Sequence, residues 1–356
     1  MIIVDAHQDI AYNALSFGRD YRRSALETRQ LERGTEVPQK AGIATLGLPD
    51  SLLGRVALVF ATLFVAPEAA KEGPWDTLAY KNAQEAYRLA QRQMDYYQRL
   101  SDESDKIRLI RTQAELDALL SGWEAGKSLR ERRQGLVILM ENADPILEPR
   151  QFEEWYQRGV RIVGPAWHGT RYSGGTGQPG PLTDLGRALL EILADFGVIL
   201  DVSHMAEEAF FESLDRYPGV LIASHSNPRA FRDTDRHLSD TMIRRLAERD
   251  GVMGIVPFNR FLSEHWSPSS PKSSVKLKLV LDAIDHVCQI SGSAAHVGIG
   301  SDFDGGFGMQ SIPEEMDTIM DLWNIGAALR ARGYSEADIA AVLGGNMLRK
   351  LRQALR

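Results

Sequence analysis

The stretch VDAHQDI at residues 4–10 places a histidine and an aspartate two positions apart at the end of an apolar run. In a β-strand, residues i and i+2 point to the same face, so His7 and Asp9 would present an imidazole and a carboxylate on one surface. The alternative is a polar strand end, with Asp9 capping a loop and His7 at the surface. Matching ligands at other strand ends would favour a metal or catalytic site.

Imidazole and carboxylate side chains also end several apolar runs further along the chain. They are Glu141 at the third run, His168 at the fourth, His204 at the fifth, His225 at the sixth and Asp302 at the eighth. Histidine nitrogens and carboxylate oxygens suit Zn²⁺ or a related divalent ion, and a shared carboxylate can bridge two ions. The sequence therefore predicts a metal site built from several strand ends.

The remaining histidines and the single cysteine suggest less chemistry. His265, His286 and His296 fall on a loop, a helix and a strand start, so we expect surface or structural roles for them. His237 adjoins an arginine in a loop after the sixth run, and its role is left open. Cys288 cannot form an intramolecular disulfide and lies in the helical pattern LVLDAIDHVCQI, which indicates a buried small apolar residue.

Eight short apolar runs rich in β-branched residues recur along the chain, separated by longer segments of helical periodicity. They cover residues 2–9, 56–65, 135–141, 160–168, 197–204, 219–225, 251–258 and 296–302. Apolar strands alternating with helices are typical of an α/β parallel sheet, and eight units favour a closed (β/α)8 TIM barrel over an open doubly wound sheet. The carboxyl ends of all eight strands would then open on one rim, where barrel enzymes hold their active sites.

The segments between the runs carry helix start and stop signals. Helices are predicted over residues 183–197 and 239–251, each beginning at a capping Thr, Ser or Asp and stopping at a glycine. The gap between the second and third runs predicts a long amphipathic helix over 76–100, a short IRLIR run and a second helix over about 112–123. The Ser- and Pro-rich segment 267–274 is expected to be an exposed, mobile loop.

The chain is expected to form one domain over residues 1–356, with residues 67–134 as a helical insertion in the barrel. Its 356 residues, 44% hydrophobic and 25% charged, are enough to bury a large core. The net charge of −7 argues against a broad nucleic-acid footprint. The sequence shows no basic and then apolar leader and no apolar run of membrane-spanning length, so we expect a cytoplasmic protein without membrane contact.

The order and spacing of these elements resemble the membrane (renal) dipeptidase family, within the amidohydrolase superfamily of metal-dependent barrels. The resemblance rests on H-x-D in the first run, Glu in the third, LDVSH and IASH in the fifth and sixth, RHLSD shortly after, and GIGSDFDG in the eighth. It spans nearly the whole chain, and the combined order of the motifs is more specific than any one of them. It implies a metal-dependent hydrolase of free dipeptides, with acceptance of a C-terminal D-residue left open.

The resemblance also implies a binuclear metal centre with two divalent ions per chain, most simply Zn²⁺. His7, Asp9 and Glu141 would hold one ion, and Glu141, His204 and His225 would hold the second, with Glu141 bridging. A hydroxide between the ions would be the nucleophile, because coordination lowers the pKa of water to about 7 in favourable sites.

The same resemblance implies roles for three further residues, which are carried over from matching positions of the family pattern. His168 would contact the scissile carbonyl oxygen, Arg236 would hold the free carboxylate of the substrate, and Asp302 would accept the water proton and return it to the leaving amine. A guanidinium fork matches a carboxylate geometrically. Asp304, two residues beyond Asp302, is expected to bond backbone amides in the glycine-rich turn. Dimers are usual in that family, so a homodimer is an expectation too.

Two stretches depart from the family pattern. Asn142 and Ala143 follow Glu141 where glycines are usual, and GTRYSGGTGQPG after His168 lacks an expected asparagine and aspartate. Both stretches are expected to line the substrate side of the rim, so they bear on substrate identity. The alternatives are an amidohydrolase of N-acyl amino acids, cyclic amides or lactones, a metal-dependent peptide-binding protein, and a barrel that kept its fold and lost its chemistry.

Overall fold

The structure is a computed structural model that describes residues 1–71 and 73–355. Its strands are β1 Ile3–Gln8, β2 Val56–Leu63, β3 Ala66–Pro67, β4 Ala79–Tyr80, β5 Ile107–Leu109, β6 Gln134–Met140, β7 Val160–Val163, β8 Ser173–Gly175, β9 Gln178–Leu182, β10 Ile199–Asp201, β11 Leu221–Ala223, β12 Val252–Ile255 and β13 Val297–Ile299.

Eight of these strands close into a parallel barrel, which confirms the predicted α/β fold. Around the barrel the order is β1, β13, β12, β11, β10, β7, β6 and β2, and every neighbouring pair is parallel. The closing pair is β2 with β6, in register from Leu58 opposite Gly135 to Leu63 opposite Met140. All eight carboxyl ends therefore meet at one rim.

Helices surround the barrel and close its amino-terminal end. They are α1 Ile10–Phe17, α2 Ala25–Glu32, α3 Val37–Ala41, α4 Leu48–Leu53, α5 Ala83–Glu103, α6 Gln113–Ser121, α7 Phe152–Arg158, α8 Asp184–Phe196, α9 Glu207–Arg216, α10 Asp240–Glu248, α11 Asn259–Leu262, α12 Leu277–Ser291, α13 Trp323–Ala331, α14 Glu336–Ala340 and α15 Asn346–Ala354. Within the described residues, no helix combines the length and apolar character needed to cross a membrane.

One buried cluster joins residues from seven barrel strands with one face of α15. Alternate residues of β1 and β2 belong to it, namely Val4, Ala6, Leu58 and Phe60, together with Met347 of α15. Residues from so many strands can share one cluster only inside the barrel, so the lower interior is packed with side chains. Polar residues can accumulate only at the opposite, carboxyl-terminal end.

The helix signals of the sequence locate most helix ends. Thr183 caps α8 by accepting a hydrogen bond from the Gly186 amide, and Gly197 ends the helix in the left-handed region at a φ of 66°. The prediction for 239–251 extends too far, because α10 ends at Glu248 and Asp250 turns into the left-handed region at a φ of 55°. The capping residue Ser239 is confirmed by its bond from the Met242 amide.

The insertion between β2 and β6 has more strand than the sequence predicts. The long helix α5 begins at Ala83 instead of residue 76, because the Asn82 side chain caps it by accepting from the Glu85 amide. The preceding residues form β4, which pairs with β3, and the IRLIR run forms β5, which pairs with β6. The division of the chain into one domain with an insertion over 67–134 stays a prediction.

Two smaller expectations concern Cys288 and residues 267–274. Cys288 is half-buried at the edge of the core, although the helical pattern indicates full burial. Residues 267–274 are mostly exposed as expected, but they include a 3-10 turn at Lys272–Ser274.

Candidate metal centre

The barrel rim brings the predicted metal ligands together. Glu141 follows β6 directly, whereas His204 and His225 lie three and two residues beyond the ends of β10 and β11. His7 is in β1, and Asp9 follows that strand. All five side chains are buried, from 0% exposed at His7 to 9% at His204. Five ionisable groups in one buried cluster require charge compensation from one another or from a cation.

Glu141 faces two groups of ligands with its two carboxylate oxygens. Its Oε1 lies 3.5 Å from Nε2 of both His204 and His225. Its Oε2 lies 3.6 Å from Nε2 of His7. A carboxylate in this position can bridge two ions.

Asp9 and Asp302 complete the group around His7. Their nearest carboxylate oxygens lie 3.9 and 3.8 Å from the His7 Nε2, and one donor atom from each of these three residues falls within 4.8 Å of the others. His7, Glu141 and His225 form a second group with the same spacing. The geometry therefore places Asp302 close enough to contact an ion as well as to act beside it.

Hydroxyl side chains determine which ring nitrogens of two histidines carry a proton. Ser224 Oγ donates to Asp201 at 2.5 Å and contacts His225 Nδ1 at 2.8 Å, so that ring nitrogen is the donor. Thr176 Oγ1 contacts His204 Nδ1 at 3.1 Å and the His204 carbonyl oxygen at 3.4 Å, which gives the same assignment. The two Nε2 atoms then present lone pairs, the form that binds a metal.

The donor atoms fit divalent cations. The Nε2 atoms of His204 and His225 are 2.9 Å apart, and two facing lone pairs at that distance repel unless a cation lies beside them. Nε2 of His7 and Oε2 of Glu141 are buried with no hydrogen-bond partner among the described residues. Buried polar atoms normally have partners, so these atoms are candidates to bind a cation.

The electrostatics of the protein alone agree with this interpretation. Burial lowers the pKa of each of the three histidine ligands well below its usual value, and the charge of Arg236 acts in the same direction. Burial raises the pKa of Asp9 to about 6 and, together with the charge of Asp9, raises the pKa values of Glu141 and Asp302 well above their usual range. The metal-free cluster therefore favours neutral ligands, and cations would stabilise the ionised carboxylates.

A cavity of about 460 Å³ opens above these ligands and contains Arg236 in its wall. Arg236 is 8% exposed, donates to the His225 carbonyl oxygen at 2.5 Å and to Ser226 Oγ at 3.3 Å, and lies over the Phe261 ring. Among the described residues, no carboxylate lies within 4.0 Å of its guanidinium nitrogens. A buried guanidinium without an anionic partner is suited to bind an anionic ligand.

The whole chain matches a known protein family. The model of the membrane dipeptidase family, peptidase family M19, matches residues 1–356. The chain belongs to the membrane dipeptidase family. That family consists of metallopeptidases of the kind that the ligand cluster requires, so the fold, the metal chemistry and the family agree.

Relatives of this family member include proteins of bacteria and fungi. An uncharacterized protein in the pqqA 5′ region of Klebsiella pneumoniae is 33% identical over 214 residues, which are 58% of this chain and 76% of that protein. An uncharacterized dipeptidase of Schizosaccharomyces pombe is 29% identical over 168 residues, 47% of this chain. The match spans 39% of the yeast protein, well under two thirds of its length.

A solved structure shares the barrel over its full length. It is a metallopeptidase from Rhodobacter sphaeroides liganded with a phosphinate mimic of the dipeptide L-Ala-D-Ala, and it is 23% identical to this chain. The superposition has a TM-score of 0.78 and covers 99% of each chain. The common feature is the fold.

His168 is placed differently from the sequence-based expectation. The prediction put it at the end of a strand over 160–168, but β7 ends at Val163 because Pro165 cannot donate to the sheet. His168 lies in the following loop, where its Nδ1 contacts the Thr176 carbonyl oxygen at 2.6 Å. Its neighbour Trp167 lines the cavity, whereas His168 is not among the lining residues.

The two stretches that depart from the family pattern differ in whether they line the cavity. Asn142 is 1% exposed and bonds the backbone on both sides, donating to Val65 and accepting from the Asp144 amide, so it does not line the cavity as expected. Thr176, in the unusual loop after His168, does line it. The loop therefore affects the site, while Asn142 stabilises the segment after β6.

Asp304 bonds backbone amides, but in a different segment from the one expected. It is 3% exposed, and its carboxylate accepts from the amides of Thr45 and Leu46 at 2.8 and 3.2 Å. It also accepts from Thr45 Oγ1 at 2.6 Å and lies 3.5 Å from the Arg19 guanidinium. Asp304 therefore joins the turn after β13 to the loop before α4.

The other histidines separate into two kinds. His286 pairs with Asp240 at 2.7 Å, His296 contacts the Gly251 carbonyl oxygen at 2.9 Å, and His265 is exposed. None of these three is among the residues that line the described cavity, in line with surface or structural roles. His237 is 1% exposed and does line the cavity, beside Arg236.

Several functional contacts have no prediction in the sequence analysis. Thr62 at the end of β2 donates to the Asp9 carboxylate, and no chemistry is assigned to that strand from sequence. Asp201 and Ser224 belong to the LDVSH and IASH motifs, so their position beside a ligand histidine is a signal that could have been used. Thr176 offers no such signal, because its contact with His204 joins residues 28 positions apart.

Proposed function

We propose that this chain is a metal-dependent dipeptidase that hydrolyses the peptide bond of free dipeptides at a pair of divalent ions. The observation that carries the proposal is the position of Glu141, because one of its oxygens faces His204 and His225 and the other faces His7. Family membership supports the reaction, and the phosphinate mimic of L-Ala-D-Ala in the Rhodobacter sphaeroides structure supports a dipeptide as the substrate.

The proposed ligand sets follow the two sides of Glu141. His7, Asp9 and Glu141 would hold one ion, and Glu141, His204 and His225 would hold the other. Three histidines with carboxylates favour Zn²⁺, which we propose as the native metal. Such ions supply an activated water near neutral pH and polarise the scissile carbonyl group.

Arg236 would determine which end of the substrate lies against its side of the cavity. Its fixed guanidinium can donate two parallel hydrogen bonds to the terminal carboxylate of a peptide. A small cavity with one such anchor selects short, free peptides without an extended groove. Acceptance of a C-terminal D-residue stays a prediction.

Asp302 would be the proton carrier. Its carboxylate faces the ligand group around His7 and is 14% exposed toward the cavity. A raised pKa favours proton uptake from the attacking water and its return to the leaving amine. The role of Asp302 as general base and general acid is a proposal, and the alternative is that Asp302 binds a metal ion directly.

The proposed role of His168 depends on which of its ring nitrogens carry a proton. Its Nδ1 donates to the Thr176 carbonyl, so its Nε2 can donate to an oxyanion only if the ring carries a second proton. Direct contact with the scissile carbonyl oxygen therefore stays a prediction for His168. Cytoplasmic location and a homodimer are also predictions that the fold leaves open.

A substrate panel with measured metal content tests the proposed function. Free dipeptides, their C-terminally amidated forms, N-acyl amino acids, cyclic amides and lactones would be compared with protein whose metal load is known. Hydrolysis of the free dipeptides, with poor turnover of the amides, is the expected result. Equal turnover of acid and amide forms, or preference for the acyl amino acids, would favour the wider amidohydrolase function, and binding without hydrolysis would favour a peptide-binding protein.

A further inference from the structure

Three arginines line one wall of the cavity. Arg232 and Arg236 lie in the loop after β11, and Arg260 lies in α11 after β12. Because β11 and β12 are neighbours in the barrel, the three guanidinium groups approach the cavity from the same side of the rim. The proposed function uses Arg236 alone.

The two additional arginines lack anionic partners. Arg232 is half-buried and donates from Nη1 to the carbonyl oxygens of Arg260 and Ser263, at 3.2 and 3.4 Å. The Arg260 side chain is exposed and has no hydrogen bond or ion pair among the described residues. Neither guanidinium has a carboxylate within 4.0 Å in the described part of the chain.

Two acidic residues of the cavity accept hydrogen bonds from backbone amides and form no direct ion pair with Arg232 or Arg260. Asp235 accepts a hydrogen bond from the Gly177 amide at 2.7 Å, and Asp76 accepts one from the Leu78 amide at 3.1 Å. The remaining three carboxylates in the cavity belong to the metal cluster or face it. Arg232 and Arg260 are therefore available to attract a second anionic group of a ligand.

The opposite wall of the cavity is aromatic. It is formed by Tyr12 in α1, Phe64 after β2 and Trp167 after β7. The Phe64 ring contacts the other two rings, with centroids 5.2 Å from Tyr12 and 5.1 Å from Trp167. The cavity therefore has a cationic side and an aromatic side, with the metal ligands between them.

We infer that this dipeptidase prefers substrates whose C-terminal residue has an acidic side chain, with Arg232 and Arg260 as the residues that determine this specificity. The inference rests on the proposed function, because Arg236 must first hold the terminal carboxylate. A substrate anchored there has its C-terminal residue on the arginine side, and its amino-terminal residue on the side of Phe64 and Trp167. The C-terminal side chain then lies between unpaired guanidinium groups, where Glu or Asp gains charge-assisted hydrogen bonds.

A competing occupant of the same wall is an apolar C-terminal side chain. Phe258 and Phe307 stack there with centroids 4.0 Å apart, and Phe261 lies under Arg236. An aromatic ring compensates the charge of a guanidinium only weakly, so the arginines still favour an anionic partner. The charge therefore favours the acidic side chain, and the test includes an apolar substrate as the alternative.

The experiment compares kcat/KM for Ala-Glu, Ala-Gln and Ala-Leu, which differ at the C-terminal side chain. We expect Ala-Glu to exceed Ala-Gln by about tenfold or more, in line with hydrogen bonds to charged groups. The advantage should decrease with added salt, because the arginines are partly exposed. Arg260→Gln and Arg232→Gln should each lower the ratio of Ala-Glu to Ala-Gln.

The matched control is Arg92→Gln, an exposed arginine of α5 that does not line the cavity, and it should leave the ratio unchanged. Equal kcat/KM for Ala-Glu and Ala-Gln, or a preference for Ala-Leu, would overturn the inference while leaving the dipeptidase function intact. A ratio that survives both arginine substitutions would also overturn it. Failure to hydrolyse any of the three dipeptides would instead overturn the proposed function on which the inference rests.

Discussion

Exchanging either aspartate of the SDFDGG turn for asparagine should separate catalysis from stability. Asp304 accepts three hydrogen bonds from Thr45 and Leu46, and an asparagine amide would direct N–H groups toward some of those donors. Arg19 keeps its bidentate pair with Glu32, so only part of its charge compensation is lost. We expect Asp304→Asn to lower the free energy of unfolding by about 2–4 kcal/mol and to change kcat little.

Asp302→Asn should have the opposite effect. The Asp302 carboxylate has no hydrogen bond from the described residues and faces other acidic groups, so its neutralisation costs little stability. An amide cannot carry the proton, and kcat should fall by about 10²–10⁴.

The assay for both variants combines urea unfolding with kcat at a measured metal content. Loss of one ion from Asp302→Asn would show that Asp302 is a ligand. Normal turnover with both ions bound would refute the proton-transfer step, and a stable but inactive Asp304→Asn would refute the structural role of Asp304.

Four other results are expected. Arg236→Met should lower kcat/KM for free dipeptides by an amount that corresponds to a loss of about 2–5 kcal/mol of transition-state stabilisation, and an unchanged value would exclude the carboxylate contact. Ser224→Ala should weaken metal binding about 10- to 100-fold in a competition assay, because His225 loses the partner that fixes its ring, and equal affinity would contradict this positioning role. Chelation should abolish hydrolysis and Zn²⁺ should restore it, whereas restoration only by another ion would revise the metal. Burial lowers the pKa of His237 to about 3, so chelated protein should lose stability as the pH falls from about 6.5 toward 3, by about 1.4 kcal/mol per pH unit from this group, and His237→Gln should reduce that slope in urea unfolding.

The fold was accessible from sequence, and the candidate ligands could be placed at strand ends, because both depend on short-range patterns. Apolar runs alternating with helical segments indicate parallel strands, and closure of eight strands brings their carboxyl ends to one rim. His7, Glu141 and His225 lie in strands or within two residues of their ends, so the strand pattern predicts their position at the rim.

Residues farther from the strand ends were less predictable. His168 lies five residues beyond β7, and its orientation depends on a hairpin of β8 and β9 whose tip residue Thr176 contacts it. The contacts of Asp304 with Thr45 and of Arg232 with Arg260 join segments 259 and 28 residues apart. Pairings of that kind depend on how loops pack over the rim, for which a single sequence contains no periodic signal.

The proposed mechanism requires two ions, bridged by Glu141, for hydrolysis. Its most direct test is a metal titration of the chelated protein, in which bound Zn²⁺ per chain is measured by elemental analysis and dipeptide hydrolysis is followed in the same samples. The proposed centre predicts saturation at two ions per chain, with turnover reaching its maximum only when the second ion binds. Full turnover in metal-free protein, or saturation of both binding and turnover at a single ion, would contradict it.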